Sequence, residues 1–191
     1  VLAFGSASVQ ASGSASVLAF ESASVRAFDS ASVRASGSAS VRATSYVAVH
    51  LHSTRATVAG GVLIDLTKID HTDTQQWIDY TGTETDGDSY VLLYKAVSAN
   101  LTSARGFAYP LGETVEDAAW TDNHDCGGGL HLSPTPEQAT YYYPDATRWL
   151  RCRVHRDDLR PIPGDVAKAK ARRVEVLAEV DIHGDDVAVT P

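Results

Sequence analysis

Five residues in the second half of the chain carry side chains that bind transition metals. They follow the spacings His-x-Cys-x4-His and Cys-x-x-His, and they are His124, Cys126, His131, Cys152 and His155. Imidazole nitrogen and thiolate sulfur are the ligands that Zn²⁺ takes in tetrahedral protein sites. The pattern predicts zinc as a candidate metal, although the chain has no Cys-x-x-Cys pair to strengthen that assignment.

Structural explanations of the same residues stay open. In a strand over residues 129–133, His131 alternates with two leucines and can simply cover the polar face of a sheet. Cys126 and Cys152 can form a disulfide in an oxidising compartment or remain ordinary thiols, because two cysteines do not identify a compartment. The three glycines before the strand lack the helix and lysine of a phosphate loop, so we expect them to serve backbone geometry.

The charge of the chain is unevenly distributed. The net charge is −8, but residues 1–44 hold three arginines against Glu21 and Asp29, which leaves 13 basic and 22 acidic residues in 45–191. A region with this excess of acid is not expected to bind nucleic acid. No run of about eighteen apolar residues is present. We therefore expect a soluble protein without a membrane span, and an extracellular or virion-associated location is compatible with the sequence.

Residues 5–44 are five tandem copies of an eight-residue repeat. The consensus is Gly/Asp/Glu-Ser-Ala-Ser-Val-Arg-Ala-Phe/Ser. At a period of two, the alanines and the valine of each copy share one face, and the serines and the arginine share the other. Each copy is therefore predicted to be one strand and one tight turn, with Gly, Asp or Glu supplying the turn.

Strands with an Ala-Val-Ala face bury too little surface to stand alone, so the copies are expected to stack as a β-solenoid. Two copies per coil would place Arg26 and Arg42 on one face and Arg34 on the other, whereas three would make the coil triangular; the sequence does not choose. An unfolded segment is the alternative, because Ser and Ala make up 23 of the first 44 residues. The serine rows also resemble bacterial ice-nucleation repeats, which implies an ice-binding solenoid as a further alternative.

The repeat fades after residue 44. Residues 45–60 keep valines at the inward positions but add larger side chains, which predicts a cap over the strand edges of the stack. A globular domain is predicted over 61–184 and a tail over 185–191. Because the chain begins within a repeat and contains no Met, we expect it to be a piece of a longer protein.

The globular part is predicted to be a small α+β domain with a mainly antiparallel sheet. Strands are expected over 62–66, 90–97, 129–133, 149–154 and 173–181, and short helices over 72–80 and 135–143. Two prolines mark residues 157–165 as a loop. The whole chain is thus predicted to be mainly β, with an N-terminal β-solenoid of octapeptide repeats followed by the α+β domain.

Several motifs of the second half resemble an uncharacterised domain family of bacterial and phage proteins. The resemblance covers about residues 61–184, and it is carried by Leu93-Tyr-Lys-Ala-Val97 and by Cys126-Gly-Gly-Gly-Leu-His-Leu-Ser-Pro-Thr-Pro136. It implies a domain boundary but no established activity.

The same motifs are similar to ADP-ribosyltransferase-like folds. In such folds a first strand contacts the nicotinamide end of NAD, a second strand supplies an aromatic or serine motif, and a late glutamate stabilises an oxocarbenium-like transition state. The resemblance implies Lys95, Ser133 and either Glu175 or Glu179 as catalytic candidates, with NAD as the cofactor. Lys95 departs from the His or Arg usual at its position, and neither glutamate lies in a recognisable catalytic signature.

Two functions follow from these patterns. The first is a structural or assembly protein, a β-solenoid stalk or filament-forming segment that carries the α+β domain as a cap or interaction domain. Such a protein is not an enzyme, needs neither cofactor nor metal, and associates with itself through solenoid ends or edges. The second is an ADP-ribosyltransferase-like enzyme of bacterial or phage conflict on a solenoid arm. We favour the first, because it depends on fewer residues outside a recognised signature.

Overall fold

A computed structural model of the chain describes residues 1–187, and the chain divides into two compact units between Ile69 and Asp70. The predicted tail over 185–191 therefore lies partly outside the described residues. The fold is mainly β, with a β-solenoid in the first unit and an antiparallel sheet region in the second, which confirms the predicted fold class. Within residues 1–187 no helix is long and apolar enough to cross a membrane.

The first unit is built from parallel strands that repeat every sixteen residues, because each strand pairs with the strand two octads further along. These strands are β1 (Leu2–Ala3), β2 (Ser8–Ala11), β3 (Ser16–Ala19), β4 (Ser24–Ala27), β5 (Ser32–Ala35), β6 (Ser40–Ala43), β7 (Ala48–Leu51), β8 (Thr57–Ala59) and β9 (Val62–Asp65). Odd-numbered strands form one sheet in the order β1-β3-β5-β7-β9, and even-numbered strands form a second sheet in the order β2-β4-β6-β8. Each coil is therefore a flattened pair of octads, which resolves the choice that the sequence left open.

The core between the two sheets consists of stacked valines and alanines. Val17 lies opposite Val33, which lies opposite Val49, and all three side chains are fully buried. Burial of a valine side chain contributes about 1.5–3 kcal/mol, so the column of identical residues stabilises each coil only when its neighbours are present. On the outer surface, Arg26 and Arg42 are paired in one sheet and Arg34 lies in the other, which is the arrangement expected for two octads per coil.

Acidic side chains clamp the corners of neighbouring coils together. Glu21 and Asp29 occupy turn positions with left-handed backbone, with φ of 55° and 57°. The Glu21 carboxylate accepts a hydrogen bond from the backbone N–H of Gly5 at 2.9 Å, and the Asp29 carboxylate accepts one from Gly13 at 3.0 Å. The acid at the first position of a repeat thus satisfies a backbone donor of the preceding coil, which offsets the cost of its own conformation.

Gly37 and Gly13 provide a matched pair of turn glycines. Both have a φ of 63°, but a Cβ on Gly37 would lie 2.8 Å from the backbone nitrogen of Glu21, whereas a Cβ on Gly13 would meet nothing within 4 Å. We expect Gly13→Ala to lower the free energy of unfolding by about 1 kcal/mol through backbone strain alone, and Gly37→Ala to lower it by a further 1–3 kcal/mol, roughly, through steric overlap. Urea unfolding monitored by circular dichroism checks this difference, and equal losses would contradict the coil stacking described above.

The solenoid extends beyond the boundary predicted at residue 61. The strand Val62–Asp65 was expected to open the globular domain, but it pairs in parallel with β7 and belongs to the stack. Gly60 and Gly61 form the turn before it. A Cβ on Gly60 would lie 2.2 Å from the carbonyl oxygen of Ala43, and one on Gly61 would lie 2.7 Å from that of Val47. They are glycines because the backbone passes too close to the preceding coil for any side chain.

The second unit contains two antiparallel sheets. The larger sheet has the order β10-β11-β14-β17-β12, and the smaller sheet has the order β13-β16-β15. The strands are β10 (Thr85–Asp86), β11 (Tyr90–Val97), β12 (Thr114–Glu116), β13 (Leu130–Leu132), β14 (Arg148–His155), β15 (Leu159–Ile162), β16 (Lys168–Ala171) and β17 (Arg173–Val180). The apolar side chains of both sheets, among them Leu93, Leu132 and Leu150, form one buried core.

Two short helices accompany these sheets, as predicted. Helix α1 (Thr74–Thr81) begins after Asp73, whose carboxylate accepts from the backbone N–H of Gln76, and it ends at Gly82 in the left-handed conformation. Helix α2 (Pro136–Tyr142) has Pro136 in its first turn and packs against β11.

The prediction of a loop over residues 157–165 is wrong for four of these residues. The segment contains the strand β15, in which Pro161 lies opposite Ala169 of β16. The strand is at the edge of the smaller sheet, where a residue without an N–H leaves no ladder partner unsatisfied. Pro161 therefore lies in an edge strand.

Candidate functional site

An open pocket of about 510 Å³ lies in the second unit. Its walls come from β11, the loop over 103–109, the glycines at 127–129, β13, and the tyrosines at the end of α2. A volume of this size is typical of sites that hold small organic ligands. The pocket is lined by two of the catalytic candidates, Lys95 and Ser133, and by two of the metal-ligand candidates, Cys126 and His131.

Lys95 projects from β11 and is partly buried. Its Nζ donates a hydrogen bond to the backbone carbonyl of His131 at 2.7 Å and lies 5.2 Å from the centre of the Tyr109 ring. Burial, with a smaller contribution from the charge of Arg105, lowers the pKa of Lys95 to about 8. At neutral pH the side chain therefore remains mainly a cation, and within residues 1–187 it forms no ion pair with an acid.

Ser133 is held against the same strand by its backbone. The N–H of Tyr94 donates to the carbonyl of Ser133 at 2.8 Å, and the N–H of Ser133 donates to the carbonyl of Tyr94 at 3.0 Å. Ser133 directly follows β13, the strand that carries His131. This bridge therefore joins the larger sheet to the end of a strand of the smaller sheet. Lys95 and Ser133, the candidates implied by the resemblance to ADP-ribosyltransferase-like folds, both line the pocket.

The two glutamates lie elsewhere. Glu175 accepts hydrogen bonds from Arg153 at 2.8 and 2.9 Å, and Glu179 forms an ion pair with Arg148 that lowers the pKa of its carboxyl. Neither residue lines the pocket. The chain therefore brings Lys95 and Ser133 into one site but does not add a glutamate to them.

The five candidate metal ligands are dispersed. His124 contacts the carbonyl of Pro161 through Nδ1 at 2.8 Å, and His155 lies at the far end of β14 beside Tyr90 and Asp157. Cys126 is exposed whereas Cys152 is fully buried, and both are free thiols, so no disulfide joins them. Across residues 1–187 no three His, Cys, Asp or Glu side chains are grouped in a way that could hold a metal ion.

His131 lies in a positively charged part of the pocket. Partial burial, together with the charges of Lys95, Lys168, Lys170 and Arg105, lowers the pKa of its ring to about 4. Its Nε2 atom is buried and has no hydrogen-bond partner among the described residues. The ring is therefore neutral at physiological pH and is surrounded by four positive charges, although the protein as a whole is acidic.

Lys170 holds the segment before β13, residues 121–129, by hydrogen bonds. Its side chain is fully buried, and Nζ donates to Thr121 Oγ1 at 3.2 Å, to Asn123 Oδ1 at 2.5 Å and to the carbonyl of Gly127 at 3.3 Å. Two residues earlier on the same strand, Lys168 reaches the pocket, where Nζ lies 3.0 Å from the Cys126 sulfur and 4.4 Å from the centre of the Tyr142 ring. Strand β16 thus supplies one structural lysine and one pocket lysine.

The glycines at 127–129 allow the loop to approach residues 119–121. A Cβ on Gly128 would lie 2.4 Å from the carbonyl oxygen of Ala119, and one on Gly129 would lie 3.0 Å from the Trp120 ring. Asp117 fixes the same loop by accepting from the N–H of Gly129 at 2.7 Å. The glycines therefore serve backbone geometry, as expected from the missing features of a phosphate loop.

Sequence reasoning missed the cations that complete the pocket. Arg105 comes from a loop with no recognisable motif, and the sequence patterns did not single out Lys168 or Lys170. The alternation Lys168-Ala-Lys170-Ala171 was a usable signal, because alternating polar and small residues at a period of two indicate a strand. Its pairing with both β13 and β15 could not be inferred from the segment alone.

Comparison with protein families gives one result. Residues 91–186, which include every lining residue of the pocket, match the model of a family described as Domain of unknown function (DUF7666). The expectation of an uncharacterised domain in the C-terminal part is thereby confirmed, while its bacterial or phage origin stays a prediction. Searches of curated proteins and of solved structures find no similar protein.

Proposed function

The chain belongs to the DUF7666 family of domains of unknown function, and from that premise we propose that it is a structural protein in which the β-solenoid assembles end to end and carries the DUF7666 domain as an interaction module. A solenoid joined to an uncharacterised domain fits a structural role in general. The finer proposal, that the solenoid is the assembling part, rests on the edge strands of its two sheets.

The strand β9 is the observation that carries the proposal. It pairs with β7 on one side only, and its residues Val62, Leu63 and Ile64 are 55%, 51% and 36% exposed. Leu63 occupies the inward position opposite the fully buried Val49, but among the described residues no further strand of the sheet follows β9. An apolar edge strand with unpaired backbone groups is a template for pairing with another chain.

Within residues 1–187, the strands at the opposite edge of the stack are β1 and β2, and Leu2 and Phe4 are 60% and 54% exposed. The proposed contacts join copies of the chain given by residues 1–191. Because all strands of a sheet run parallel, a second copy added with its β1 beside β9 and its β2 beside β8 would continue both sheets in the same direction. Such a head-to-tail contact uses two different surfaces and does not close on itself, so it gives filaments of many copies.

The test compares the wild-type chain with Leu63→Lys in sedimentation velocity over a range of concentrations. A lysine at an edge position blocks strand pairing between chains, so we expect the wild type to form larger species with rising concentration and Leu63→Lys to stay monomeric. The matched control is Tyr46→Lys, because Tyr46 is 86% exposed and lies outside the strands of the same unit. A monomeric wild type, or a Leu63→Lys chain that assembles like the wild type, would overturn the proposal.

A further inference from the structure

The pocket of the DUF7666 domain contains positive charge that the protein itself does not neutralise. Lys95, Arg105 and Lys168 all line it, and none of them forms an ion pair with an acid within residues 1–187. Asp117 is the one acid among the lining residues, and its two carboxylate oxygens accept from the backbone N–H groups of Ala119 and Gly129. The remaining basic charge is therefore available to a ligand.

The partial burial of the Lys95 side chain makes this arrangement costly unless an anion is bound. Its ammonium group has three donors, and one of them goes to the carbonyl of His131. Burying a cation without a counter-ion is unfavourable, and the lowered pKa of Lys95, about 8, records that cost. Retaining a lysine here, beside a neutral His131 and a second cation, is explained if an anion completes the site.

The walls of the pocket also offer aromatic surface. Phe107, Tyr109, Tyr142 and Tyr143 line it, and Phe107 packs edge to face against Tyr109 with ring centres 5.3 Å apart. The Tyr142 hydroxyl is fixed by donating to the carbonyl of Val166 at 2.5 Å. Aromatic walls of this kind favour a flat ring, because offset or edge-to-face ring contacts add to the burial of apolar area.

We propose that this pocket binds a small phosphate monoester of a flat ring compound, with Lys95, Arg105 and Lys168 around the phosphate and the aromatic walls around the ring. A phosphate monoester carries close to two negative charges at neutral pH. Three cations match that charge better than they match the single charge of a carboxylate. Arg105 adds the planar fork of donors that suits phosphate oxygens, and Lys95 and Lys168 act as point charges. The inference concerns the second unit and does not depend on assembly of the solenoid.

The experiment measures binding to the full chain by calorimetry at neutral pH. The probes are AMP and phenyl phosphate, which have both parts of the ligand, and adenosine and inorganic phosphate, which each have one part. We expect AMP or phenyl phosphate to bind with a Kd below about 1 mM, and each partial probe to bind roughly tenfold or more weakly.

Two variants test the cations. Lys95→Met keeps the length and packing of a partly buried side chain, and Arg105→Ala changes an exposed residue outside the core. Each is expected to weaken binding of the intact probe roughly tenfold or more, because a hydrogen bond to a charged group is lost. Lys68→Met, which removes a side chain that is 84% exposed in the other unit, is the matched control and is expected to change nothing.

Several outcomes would overturn the inference. These are no binding of either intact probe, binding that Lys95→Met and Arg105→Ala both leave unchanged, or adenosine binding as tightly as AMP. Thermal melting of each variant is recorded alongside, and if Lys95→Met does not fold, Arg105→Ala decides the result. A monomeric wild type in sedimentation would remove the assembly proposal but leave this binding test unaffected.

Discussion

Val25→Asp is expected to unfold the β-solenoid, whereas Ser24→Asp, one residue earlier on β4, is expected to leave it folded. Val25 is 1% exposed and stacks between Val9 and Val41, so the new carboxylate would lie in a narrow apolar core without a partner. Because an uncompensated charged group is buried, we expect Val25→Asp to lower the free energy of unfolding by more than about 4 kcal/mol. A loss of this size is at the upper end of the effects of single substitutions. Ser24 points to the opposite, exposed face of the same strand.

Circular dichroism during urea unfolding measures both variants. The reason for the large effect is that the coils stabilise one another, so the loss of one coil removes the neighbours of the coils on either side. If Val25→Asp and Ser24→Asp lost the same small amount of stability, the valine column could not be the core of the unit. Retention of the DUF7666 domain in Val25→Asp, seen as unchanged near-ultraviolet dichroism from its tryptophans, would show that the two units fold separately.

Lys170→Met is expected to destabilise the DUF7666 domain by about 1.5–3 kcal/mol, because three oxygen acceptors lose a charged hydrogen-bond donor. The acceptors are Thr121 Oγ1, Asn123 Oδ1 and the carbonyl of Gly127, and Lys170 is fully buried among them. Hydrogen exchange of residues 121–129 is expected to rise in the same variant, since these contacts hold the loop in place.

Lys168→Met on the same strand is the matched control for that change. Lys168 is only partly buried, and its Nζ contacts a thiol and an aromatic face instead of several oxygen acceptors. We expect it to cost less than about 1 kcal/mol in thermal unfolding. Equal destabilisation by the two substitutions would contradict the division of β16 into a supporting lysine and a pocket lysine.

The repeat could be predicted from sequence because one local rule decides its structure. The alternation around Val25 and Arg26 fixes which side chains face inward, and stacking is the one way for such narrow strands to bury them. The number of octads per coil was not predictable, because it depends on which strands pair across sixteen residues. The turn residues gave one indication of this pairing, because glycine and an acidic residue alternate every sixteen residues at Gly5, Glu21 and Gly37.

Residues of the second unit were predictable only where local patterns decide them. Both helices followed from capping residues and Pro136. Pro161 was misleading, because proline is excluded from central strands but tolerated at an edge, and the sequence does not show which strand is an edge.

The pocket was only partly predictable. Lys95 and Ser133 were indicated by a resemblance, but Arg105 and Lys168 reach the same pocket from elements far apart in the chain. The candidate zinc ligands lie near one another in sequence. However, the Cys152 side chain is buried in the core, and His155 is the last residue of the same strand, β14. Sequence spacing identifies ligand types, but strand direction decides whether they meet.

Cryo-electron microscopy of the wild-type chain at assembling concentration tests the central claim most directly. If the solenoids join end to end, the particles will be filaments whose strands lie across the axis, and the strand spacing of about 4.8 Å will continue through each junction between chains. DUF7666 domains will then recur along the filament at the interval of one solenoid. Particles joined through DUF7666 domains with separate solenoids, or single molecules at every concentration, would contradict the account.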